Sequence, residues 1–178
     1  MKIGQLAPRF RVPALVKGEV FYLGSNSFGD HPIALCFLPT LGMVECAVLE
    51  RQASTFEREK TNFLGVVSEA FFFSGPWQHV IWPQGLTLLS DPLGRLARAY
   101  NVRSNQGHGR CHSFVIDPEG ILRYHLVHDL NGRGMGALLE ILRACRSGKT
   151  PQSDAPHSVI QDRDERVQPL LATSTQGE

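Results

Sequence analysis

Apolar residues in this chain come as short unbroken runs alternating with stretches of helical spacing, the pattern of doubly covered strands and the helices that cover them. Ile33 to Leu38 predicts a fully buried strand and stops at Pro39, which has no N–H to extend a ladder. A loop with one glycine follows. From Val44 the spacing turns helical to about Lys60, with Leu49, Ala53 and Phe56 on one face and Glu50, Arg51, Arg58 and Glu59 between them. Phe63 to Ser68 predicts a second central strand. Leu86 to Asp91 closes another, and Asp91-Pro92 is expected to start a helix through Leu96, Ala97 and Tyr100. His112 to Ile116 and Ile121 to Val127 flank Asp117-Pro118-Glu119-Gly120, a hairpin. A last helix is expected from Met135 to about Arg146. Its Leu138, Leu139, Ile141, Leu142 and Cys145 are too apolar for a surface helix, so it should dock on the sheet.

Before the first buried strand, Phe10 to Val12 and Val20 to Leu23 are broken by Gly18, Gly24 and Gly29 and predict an edge hairpin. Ala70 to Gly85 reads as an aromatic-rich loop around Phe71, Trp77 and Trp82, capping the core or forming a patch for a partner. The elements together predict one α/β layered domain over residues 1–146 with a mixed sheet. Residues 147–178 are polar and predict a tail, mobile or packed on a neighbouring subunit.

Composition narrows the classes. The chain has 178 residues, 42% of them hydrophobic, enough for one sizeable core. A net charge of +1 without a long basic run argues against nucleic acid or an anionic membrane surface as partner. No stretch is apolar enough to span a bilayer, and the start lacks a signal-peptide core. Four cysteines are too few for a disulfide scaffold, so a reducing, cytoplasmic setting is expected, where a notable cysteine is catalytic or redox-active.

Cys46 is the notable one. It falls in or just before the first turn of a helix that follows a buried strand, where unpaired N–H groups and the helix dipole favour thiolate over thiol. Its bland alternative is a small buried hydrophobe. Cys36, inside a strand, and Cys145, late in the last helix, read as packing. The set His108, Cys111, His112, His125 and His128 fits no zinc spacing, and Cys111 and His112 should face opposite sides of a strand, so no metal site is assigned.

The sequence resembles the peroxiredoxins of the alkyl hydroperoxide reductase/thiol-specific antioxidant family. The likeness is carried by Ile3-Gly4 with Ala7-Pro8 and Phe10, and by Phe37-Leu38-Pro39 followed by Cys46. It continues in Leu88 to Asp91 with Ala99 to Val102, in Phe114 to Gly120, and in Asp129-Leu130 with Gly132-Arg133. The resemblance implies a thioredoxin-like α/β/α fold and a peroxidase with Cys46 as the peroxide-attacking thiol, Pro39 shielding it and Arg133 as a nearby cation. It implies a hydroperoxide substrate, a thioredoxin-like or low-molecular-weight thiol as reductant, a homodimer or higher homo-oligomer, and no metal or organic cofactor.

Three positions depart from the family pattern. Met43 stands where a threonine binds peroxide, Leu49 where a polar residue is common, and Cys111 where an arginine is expected. Arg110 is adjacent, but strand alternation aims it away unless a bulge re-aims it. Reduction by an external thiol is the simplest cycle. Cys111 offers a second one, resolving the sulfenic acid within the chain. The alternative to an enzyme is a peroxiredoxin-fold protein acting as a binding or redox-sensing module.

Overall fold

The computed structural model describes residues 2–39, 43–68, 86–102 and 110–147, with backbone alone for 43–45. The aromatic loop at 70–85, His108 and the chain beyond Ser147 lie outside the described residues.

In chain order the elements are β1 (Arg11–Val16), β2 (Glu19–Gly24), β3 (Ile33–Phe37), α1 (Met43–Arg58), β4 (Asn62–Val67), β5 (Thr87–Ser90), α2 (Arg95–Ala99), β6 (Arg110–Ile116), β7 (Leu122–Asp129) and α3 (Gly132–Arg146). The strands form one sheet, ordered β2-β1-β5-β4-β3-β6-β7. β3, β4 and β5 run parallel, and antiparallel pairs complete the sheet on both sides, so it is mixed. The β1–β2 hairpin sits at one edge, as the glycine-broken pieces predict.

β3 is central because every residue in it is buried; such a strand has no face to give to water. Alternation then sorts its side chains. Ala34 and Cys36 face α1 and α3, packing with Leu49, Ala53, Phe56, Met135, Leu138 and Leu142. Ile33, Leu35 and Phe37 face the other way, with Phe114, Leu96 and Tyr100 of the α2 side. This is the thioredoxin-like α/β/α layering.

The helix expected from Asp91-Pro92 starts later. Gly94 has a left-handed φ of 61° and its N–H closes a turn on the Asp91 carbonyl at 3.0 Å, which stops a helix from propagating through it. The Asp91 carboxylate instead accepts from the Ala97 N–H at 2.8 Å, and α2 is a single short helix from Arg95. α3 begins earlier than Met135, because the Asn131 side chain accepts from the Gly134 N–H at 2.8 Å and caps the first turn.

The N-terminal segment is a strap. Gly4 N donates to Leu122 O at 2.8 Å, Leu122 N to Gln5 O at 2.8 Å, and Ala7 N to Gly120 O at 2.9 Å. The buried Tyr100 hydroxyl donates to Pro8 O at 3.0 Å, and burial pushes its pKa upward. Tyr100→Phe leaves that carbonyl without its donor and should cost about 1 kcal/mol in urea unfolding, with m unchanged.

Among the described residues no helix is long and apolar enough to cross a membrane.

Candidate active site

The sheet topology gathers chemistry at one end. β3 leads into α1 at its C-terminal end. β6 is antiparallel to β3, so its first residues lie at that same end. β7 is antiparallel to β6, so its last residue and the start of α3 arrive there too. Cys46, Arg133, Arg110 and Cys111 are thereby brought to one edge of the layered structure.

Cys46 is the fourth residue of α1, half-buried, in the turn whose amides have no intrahelical acceptor. One turn further along α1, Leu49 is fully packed in the core. Leu38 N still donates to Val66 O at 2.9 Å, carrying the β3–β4 pairing one residue past the strand, and Pro39 ends it. Thr40 to Gly42 and the Met43 side chain lie outside the described residues. Arg133 is exposed in the first turn of α3.

Arg110 opens β6 opposite Asp129 and ion-pairs with it at 3.6 Å. The bulge that would turn it toward Cys46 is absent from the start of the described ladder. The shift in register falls between Val115 and Ile116 instead. Arg110 and Cys111 therefore take opposite faces, and Cys111 is the one that points under α1.

Cys111 meets a group that the sequence does not advertise. β3 pairs with β6 so that Cys36 lies opposite Ser113, with Cys111 two residues along on the same face. Ser113 Oγ donates to Cys36 Sγ at 3.0 Å and lies 2.8 Å from His128 Nε2. His128 Nδ1 is 2.9 Å from the Asp129 carbonyl oxygen. The Cys111 thiol also hydrogen-bonds Cys36. That bond lowers the Cys36 thiol's pKa, against the effect of burial, with His128 and Ser113 adding to the lowering. The same bond, and then burial, push the Cys111 thiol up. Burial alone would depress His128, but its bond to Cys36 and the charge there raise it. All four cysteines are free thiols.

Cys36 does pack, as its place in a strand implies, but in polar company. The hint available in sequence was Ser113: a hydroxyl on the inward phase of an apolar strand must have a buried partner. Which partner depends on the register, which residue spacing does not give.

His128 is held by a close approach. A methyl group on Gly134 would collide with the Asp129 carbonyl oxygen and the His128 ring. Gly134→Ala should therefore destabilise by about 1–3 kcal/mol in urea titration, since backbone and a buried ring must both give way.

His112 and His125 are 3.2 Å apart on the opposite face, where His125 stacks on Phe114 with centroids 4.2 Å apart. Among the described residues no three His, Cys, Asp or Glu side chains are grouped to hold a metal ion. Cys145 is half-buried against the core, its pKa raised mainly by burial.

Comparison with known proteins bears on this arrangement. The sequence profile of the AhpC/TSA family matches residues 3–125. A putative peroxiredoxin, ycf42, of Pyropia yezoensis is 29% identical over 81% of this chain and 78% of its own length. A putative peroxiredoxin in the rubredoxin operon of Clostridium pasteurianum is 28% identical over 82% of this chain and 90% of its own. The crystal structure of reduced Plasmodium vivax 2-Cys peroxiredoxin superposes with a TM-score of 0.68. It covers 83% of this chain and 98% of that one at 22% identity, which shows the fold.

Proposed function

The chain belongs to the AhpC/TSA family of peroxiredoxins, and from that premise we propose that it reduces hydroperoxides through Cys46. One observation carries the reading: Cys46 lies in the first turn of the helix that follows a buried central strand in the chain. Its thiolate attacks the O–O bond, one oxygen remains on sulfur as sulfenic acid, and the other leaves as water or alcohol. The unpaired amides and the dipole of α1 favour the ionised sulfur, which must form well below the free-thiol pKa of about 8.5.

Arg133, in the first turn of the neighbouring helix, is the cation assigned to the departing oxygen. Arg110 stays with Asp129 and fixes the end of the β6–β7 hairpin. Pro39 closes the strand beside the sulfur and limits the access of water to the sulfenic acid. The reductant is a thioredoxin-like protein or a small thiol, and the active form is a homo-oligomer.

The substitution of Cys111 for the expected arginine favours a second reading, a binding or redox-sensing module that no longer turns over. Stoichiometric peroxide consumption by wild type and by Cys46→Ser separates the two. A thiol-dependent excess in wild type supports the enzyme; equal traces remove it.

A further inference from the structure

At the end of the sheet away from Cys46 lies a hollow that the described elements do not fill. A largely apolar cavity of about 340 Å3 is walled by Pro32, Val115, Pro118, Leu142 and Cys145. Pro32 precedes β3, while Val115 and Pro118 lie at the end of β6, which is antiparallel to β3. The cavity therefore opens at the pole opposite the start of α1. A second cavity of about 410 Å3 adjoins it, the two sharing His31, Asp117 and Pro118 as lining. Together they make one groove, a shape that suits a length of chain better than a compact small molecule.

The chain itself leads to this groove. Cys145 and Arg146, in the last turn of α3, line the first cavity, and the helix is capped at Ser147. The sequence runs on for 31 residues past that point. Its first adjacent apolar pair is Val159–Ile160, twelve residues on. A flexible tether of that length has a root-mean-square span of about 20 Å. It presents the pair to the cavity at roughly millimolar concentration, so an intrinsic Kd of about 1 mM fills the site within one chain. The same contact between two copies at micromolar protein would stay almost empty. Charge agrees with this occupant. Residues 148–178 carry five acidic and three basic side chains in a chain of net +1, so residues 1–147 are net +3. On the rim, Asp30 and Lys60 are exposed and make no ion pair among the described residues. They offer one charge of each sign to the mixed block Asp162-Arg163-Asp164-Glu165-Arg166 that follows the apolar pair.

We propose that Val159 and Ile160 of the same chain fill the first cavity and that the charged block after them lies along its rim. The C-terminal segment is then an intramolecular cover for Cys145 and for the turn at 117–120, rather than an arm laid on a neighbouring subunit. Docking at this pole does not depend on what Cys46 does, and it leaves the start of α1 open to substrate and reductant.

The test uses the full chain, reduced and treated with iodoacetamide at fixed pH, with the alkylation of each cysteine timed by peptide mass spectrometry. Cys36 and Cys111 are wholly buried, so their labelling reports any general opening of the fold. Val159→Asp together with Ile160→Asp sets two charges against apolar walls and should release the segment. Cys145 alkylation should then rise about fivefold or more, with Cys36 and Cys111 still protected. Leu170→Asp together with Leu171→Asp, the same change in the farther apolar pair, should leave the Cys145 rate at that of wild type.

Ser158→Cys reads the contact directly. After mild oxidation with diamide, the introduced thiol should join Cys145, and the linked chain should run as a monomer on a non-reducing denaturing gel. A covalent dimer joined through the same two sulfurs would give the groove to the tail of a second copy, and a link to Cys46 would put the segment at the other pole. Either result overturns the proposal. Equal Cys145 alkylation in wild type and in the Val159 and Ile160 double variant overturns it too. An excess mass on the native wild-type chain, lost when Cys145→Trp narrows the cavity, would assign the groove to a small molecule and have the same effect.

Discussion

Cys46→Ser is expected to bring peroxide consumption down to that of buffer and thiol alone, with the folded state left within about 0.5 kcal/mol of wild type. The asymmetry has a physical source. Serine is nearly the same size as cysteine and suits a helix start, so the half-buried first turn of α1 should tolerate it. A hydroxyl, however, does not ionise near neutrality, so the attack on oxygen is lost outright. Hydrogen-peroxide decay followed with an excess of dithiol, beside a thermal melt of each protein, checks both halves. A variant that keeps more than a few per cent of the wild-type rate would move the chemistry to another sulfur.

Phe114→Ala should produce the largest loss of stability, about 3–5 kcal/mol. Phe114 is wholly buried at the centre of the second core. Its ring meets Phe37 edge-on at 5.7 Å, Tyr100 at 5.1 Å and the stacked His125 at 4.2 Å, so truncation opens a cavity bordered by three rings. Those neighbours come from β3, the segment after α2, and β7, and no single element can move in to fill the space. The expected fall in melting temperature is on the order of 10 °C for a chain of this size. Phe114→Leu, which retains much of the volume, should cost less than half as much in the same urea titration.

The parts of this fold that the residue pattern reveals are those set by burial alone. β3 and β4 are legible because a strand covered on both faces needs an unbroken apolar run, and α1 because Leu49, Ala53 and Phe56 share one stripe. The ends of helices are less legible, since single polar contacts decide them. Asp91-Pro92 carries the composition of a helix start, but the left-handed Gly94 and the reach of the Asp91 carboxylate to Ala97 delay it. Gly132 and Gly134 look like loop, and the Asn131 side chain makes them a first turn. The candidate site divides in the same way. Cys46 announces itself by its position after a strand, whereas the company of Cys36 depends on a pairing of β3 with β6 across a long stretch of chain. Local spacing carries no record of that pairing.

The strap formed by residues 4–8 has a consequence for the order of assembly. Its hydrogen-bond partners are Tyr100, which follows Pro8 by 92 positions, and the turn at residues 120–122. During synthesis residues 4–8 therefore wait, without these partners, until the β6–β7 hairpin has emerged from the ribosome. That seam closes only once the hairpin is in place, and a bulky substitution in residues 4–8 would be felt at the far hairpin rather than at β1.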